Sequence, residues 1–157
     1  TLAAVLIWRK MAQDSRRAFS VGLGAGTFEA FLLGMAGFLG MLFASLEAPG
    51  TKEMMVLARQ MAGATPLFWL VAPLDRSLVI LCHISTRMLV LLAVAKRRWS
   101  FFWWGFLIFA SLDSVAGFAR VPGRYDFSAW WIILAITPFA LLSLFLIRWC
   151  LAHWPKK

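Results

Sequence analysis

Six ionisable side chains interrupt or flank the apolar stretches of this chain: Glu29, Asp75, Arg76, His83, Arg87 and Asp113. An unpaired ion in hydrocarbon is costly, so such groups are expected to face one another rather than lipid tails. Arg76, His83 and Arg87 follow at intervals of seven and four residues, which sets them on one helical face. Asp75, with Cys82 and Thr86, lines the neighbouring face. Glu29 closes the stretch Gly22-Leu23-Gly24-Ala25-Gly26-Thr27-Phe28-Glu29-Ala30, and Asp113 stands among Ser111, Ser114 and Gly117. The expected arrangement is a polar seam where three helices meet, with acids on two of them and bases on the one between.

Three kinds of chemistry suit such a seam. The plainest is structural: ion pairs and hydrogen bonds that hold helices in register. The second is a metal centre, since Glu29, His83 and Asp113 are acceptable Zn²⁺ ligands and a glutamate can act as base on a metal-bound water. Catalytic zinc usually draws on two or three histidines or thiolates, however, and His83 is the single histidine in an apolar run; His153 sits in the basic tail. The third is an ion or proton pathway, a task that intramembrane acids perform elsewhere. The chain lacks the paired broken helices of a transporter. Cys82 and Cys150 have no metal-motif spacing and read as small apolar filler. There is no phosphate-binding glycine loop, no nucleophile–base triad and no nucleic-acid module.

The elements that must position these groups follow from composition. Of 157 residues, 62% are hydrophobic and 15% charged, with a mean hydropathy of +0.79. A soluble domain is about half apolar, and here the excess is gathered into runs long enough to cross a bilayer. The reading is an all-α, polytopic transmembrane bundle forming a single domain over 1–157. Full spans are expected at Ala18–Leu46, Arg76–Ala95, Phe101–Ala119 and Ala129–Leu151, the last kinked at Pro138. Leu2–Trp8 reads as the end of a further helix, so part of the N-terminus is expected to be missing. Thr51–Gly63 has the pattern of a short amphipathic helix lying in the interface. Pro66–Pro73 is apolar but too short to span and is expected to stop at Pro73, as an entering half-turn or re-entrant piece.

Charge orients the bundle. The formal net charge is +9. With the loop Arg9–Arg17 cytoplasmic and helices alternating, Arg9, Lys10, Arg16, Arg17, Lys96, Arg97, Arg98, Arg148, Lys156 and Lys157 lie on one side. Only Lys52, Arg59, Arg120 and Arg124 lie on the other. That bias places the C-terminus and the loops Arg9–Arg17 and Lys96–Arg98 in the cytoplasm. Basic residues so distributed are explained by lipid topology, not by nucleic acid. Gly22, Gly26, Ala30 and Gly34 recur every four residues as a ridge of small side chains, suited to close packing within the chain or against another subunit.

With these residues in view, the chain resembles the YhfC-type family of intramembrane metalloproteases, relatives of the group that includes prenyl-protein processing proteases. The likeness runs from about Arg9 to Gly117. Gly22 to Ala30 is similar to a family stretch Gly-x-Gly-His-Gly-x-x-Glu-Ala. Asp75-Arg76, His83 and the segment from Ser85 to the basic triplet Lys96-Arg97-Arg98 look like the family's Glu-Arg helix and its following turn. Ser111-Leu112-Asp113 looks like the end of its His-x-x-x-Asp helix. The resemblance implies zinc-dependent proteolysis, with Glu29 as the base that activates water. It also marks departures: the family's two histidines fall here on Ala25 and Phe109, and its paired acids would lie upstream of Thr1. A scaffold without that ligand set is expected to hold no metal and to act by binding lipids and other transmembrane subunits. An active zinc protease using Glu29, His83 and Asp113 is the alternative reading, and a component of an ion or proton pathway the third.

Overall fold

Asp14 begins the first helix. Its backbone is extended (φ −137°, ψ 140°) and its carboxylate accepts the Arg16 N–H at 3.2 Å, satisfying one of the amide donors a helix leaves open at its start. The helix so started, α1, spans Ser15–Ser45. In this computed structural model, residues 12–46, 52, 55, 56, 66–119 and 130–155 are described. The segment Leu2–Trp8 and the loop Arg120–Ser128 lie outside them. So does most of Thr51–Gly63, of which Lys52, Met55 and Val56 are helical.

Three more long helices follow: α2 over Val71–Lys96, α3 over Ser100–Ala119 and α4 over Trp130–His153. All four helices are long and apolar enough to cross a membrane, as expected from the sequence. At ~1.5 Å per residue, the 31 residues of α1 exceed a hydrocarbon core of ~30 Å, so this helix must tilt or protrude.

One boundary differs from expectation. Pro66–Leu70 forms a 3₁₀ turn that runs straight into α2, and Pro73 lies inside the helix rather than ending it. Pro73 occupies the first turn, where the missing N–H has no carbonyl to meet and the fixed φ suits a helix. The membrane-length segment is therefore Pro66–Lys96. Pro138 likewise lies within an unbroken α4; one residue before it, the Thr137 hydroxyl donates to the Ile133 carbonyl at 2.7 Å.

α2 is the central helix and packs on each of the other three. Its crossing with α1 is close because two glycines permit it. A Cβ on Gly22 would stand 2.6 Å from the Ile84 Cα, and one on Gly26 would stand 3.1 Å from the His83 Cβ. Because Gly22 meets Ile84 and Gly26 meets Ile80, the two helices run antiparallel. α2 ends at Arg97, whose φ of 53° is left-handed, and the Arg98 N–H reaches back to the Ala93 carbonyl at 3.0 Å, a closure of the Schellman kind. The tight turn delivers the chain into α3. There Gly105 lies against the Thr86 carbonyl, 3.2 Å from where a Cβ would be.

Two apolar clusters hold the bundle. One joins Ala12 and Ala18 of the α1 end to Met88, Leu91 and Leu92 of α2 and to Ile147, Cys150 and Trp154 of the α4 end. The other joins Cys82, Leu112, Ile136 and Ala140. Between them, the fully buried hydroxyls of Ser85 and Ser143 share a 2.8 Å hydrogen bond across α2 and α4.

Candidate functional site

The close crossing of α1 and α2 delivers Glu29 to His83. Gly22 and Gly26 lower α1 onto the α2 backbone, and one turn further along α1 the Glu29 Oε2 lies 3.1 Å from the His83 Nε2. The imidazole is buried, with 1% of its side chain exposed, whereas 46% of the Glu29 side chain is exposed. The contact therefore joins an interior base to an acid at the edge of the bundle.

The other side of His83 is closed by an aromatic ring. Phe109 of α3 meets the imidazole edge to face at 5.2 Å between centroids. The Arg87 guanidinium carbon stands 5.6 Å from the centre of the same phenyl ring, within the range of a cation–π contact. Among the described residues His83 Nδ1 and Arg87 Nε have no hydrogen-bond partner. Asp113 is exposed on α3 but, with Glu29 and Arg87, is near enough to act electrostatically on His83. A small cavity of about 150 Å³, lined by Thr86, Arg87, Gly105 and Phe109 among others, adjoins this group.

The rest of the expected seam is arranged differently. Asp75 is buried and its carboxylate accepts from the Nε and Nη2 of its neighbour Arg76. That pair lies within α2, eight residues from His83, or ~12 Å along the axis. Cys82 and Thr86 are buried, and the Thr86 hydroxyl donates to the Cys82 carbonyl at 2.8 Å. The small-residue ridge divides too. Gly22 and Gly26 are spent on α2, but a Cβ on Gly34 would meet nothing within 4 Å among the described residues. The Ser85–Ser143 bond was not expected; the signal for it was a lone serine amid the apolar run from Leu141 to Ile147.

Among the described residues, the donor set at this contact falls short of the complement a catalytic zinc takes. Glu29 and His83 supply one oxygen and one nitrogen, where a catalytic zinc takes three protein ligands and a water. Among the described residues no three His, Cys, Asp or Glu side chains come together as a metal-holding group. The side of His83 where a further ligand from α3 would approach is filled by Phe109, which offers no donor atom.

The sequence model of the YhfC intramembrane metalloprotease family matches residues 4–134. The chain belongs to that family. No curated protein and no solved structure matches it. The match extends beyond Arg9–Gly117 at both ends and takes in every helix that contributes to the Glu29–His83 contact.

Proposed function

We propose that this family member is a catalytically inactive intramembrane-metalloprotease scaffold that serves as a structural subunit of a larger membrane complex. The observation that carries this reading is the closure of His83 between Glu29 and Phe109. The acid that a protease would use on a metal-bound water instead contacts the histidine directly. The position where the resemblance places a second histidine ligand holds a hydrocarbon ring packed on the first. What remains useful is shape. The outer half of α1 presents Phe31, Leu32, Leu33 and Phe38 to its surroundings, with open glycines beside them. Small residues of this kind let membrane helices approach closely.

Family membership supports a second reading, an active zinc protease with Glu29 as base and His83 as a ligand. Metal analysis of the full-length protein, purified without chelator, separates the two. The scaffold reading expects no stoichiometric zinc, no cleavage of a reporter transmembrane helix, and co-purification with other membrane subunits at a fixed ratio. One zinc per chain, lost in both Glu29→Ala and His83→Ala, would overturn it.

A further inference from the structure

A groove runs between α3 and α4, with Leu89 of α2 also in its lining. Its volume is about 350 Å³, within the range of ligand pockets, roughly 300–1,000 Å³. The walls are hydrocarbon and indole: Phe101, Trp104 and Ile108 on α3, Leu142, Phe145 and Trp149 on α4. The groove runs along the helices, because Phe101 and Trp149 mark one end and Ile108 and Leu142 the other. On each helix that is seven residues, ~10 Å.

The end at Phe101 and Trp149 carries a charge. The two rings lie 5.7 Å apart, and the Lys96 ammonium stands 5.9 Å from the centre of each. No carboxylate pairs with Lys96 among the described residues. Arg97 and Arg98 follow it in the turn, and Arg148 precedes Trp149 on α4. Aromatic residues belong at the level of lipid headgroups, and Lys96 is the last residue of α2. A cation at headgroup depth thus sits directly over a slot that only an apolar chain would fill.

We infer that this groove is a binding site for one anionic phospholipid, its phosphate on Lys96 and an acyl chain between α3 and α4. The head is chosen by charge, since a lysine near an anionic lipid surface contributes about 1 kcal/mol. The tail is chosen by shape and by the almost wholly apolar lining of the slot. Arg97 and Arg98 raise the local positive potential without entering the groove. The inference needs only the membrane-spanning fold and does not depend on whether the protein binds a metal.

Native mass spectrometry of the full chain released from nanodiscs of phosphatidylcholine and phosphatidylglycerol in equal parts tests the site. Retained phosphatidylglycerol is expected to exceed phosphatidylcholine by roughly fivefold, the equivalent of about 1 kcal/mol. Lys96→Gln is expected to bring the ratio close to one, and Lys96→Arg to preserve it. Leu142→Trp, which fills the slot, is expected to lower retention of both lipids. Equal retention by the unaltered protein would overturn the inference. So would a preference that survives Lys96→Gln, or retention unchanged by Leu142→Trp. The thermal midpoint of each variant, measured in the same detergent, shows that a lost ratio is not lost folding.

Discussion

At the scale of single residues, this chain departs from the pattern it resembles at two positions. Ala25 stands one helical turn before Glu29, and Phe109 packs on His83. Neither side chain can donate to a metal, and among the described residues the direct contact at His83 is one imidazole with one carboxylate. Restoring the two histidines is therefore expected to rebuild a ligand set. The double variant Ala25→His, Phe109→His should bind zinc stoichiometrically, while either single change should bind it at least tenfold more weakly, or about 1.4 kcal/mol. Isothermal titration with zinc in detergent reads this directly, and a double variant no better than the singles would mean that the three side chains do not converge. Removing the Phe109 ring also removes the face over which Arg87 lies.

At the scale of elements, the glycine ridge of α1 does two things along its length. Gly22 allows backbone contact with Ile84, where no Cβ fits, but a Cβ on Gly34 would meet nothing within 4 Å among the described residues. A leucine at each position should thus have opposite consequences. Gly22→Leu forces α1 away from α2, with a cost of about 1–3 kcal/mol as for other overpacked sites. Gly34→Leu should leave the stability of the isolated chain within ±0.5 kcal/mol, as surface changes usually do. Thermal unfolding in detergent distinguishes them, and equal losses would show that Gly34 is packed in the protein as purified. Because Gly22 and Gly26 carry α1 to the α2 backbone, displacement by Gly22→Leu should also separate Glu29 from His83.

At the scale of the whole molecule, the basic segments converge. The cluster that unites Ala12, Leu91, Leu92 and Trp154 brings the start of α1, the end of α2 and the end of α4 together. Arg16, Arg17, Lys96, Arg97, Arg98 and Arg148 accordingly lie toward one end of the bundle. By the positive-inside bias that end should face the cytoplasm. A cysteine in place of Lys157 is then expected to resist a membrane-impermeant maleimide in intact cells and to react after permeabilisation. Labelling in intact cells would invert the proposed topology. The natural cysteines, Cys82 and Cys150, are both buried and give little background.

Hydropathy by itself determined the four spans and the all-α class, because a bilayer demands long apolar helices wherever the chain crosses it. It misjudged Pro73, since a proline reads as a stop until its place in the helix is known. Spacing along one helix put His83 and Arg87 on a common face, and the family's pattern, read onto this chain, marked Ala25 and Phe109 as departures. Which groups meet between helices was decided by the tertiary structure alone. Helical period sets the direction in which a side chain points but not the depth, rotation and separation of the helix opposite. Those depend on where glycine lets two backbones touch. Hence Glu29 reaches His83, Asp75 pairs with Arg76 beside it, and Lys96 comes to stand at the end of an apolar groove lined mainly by two other helices.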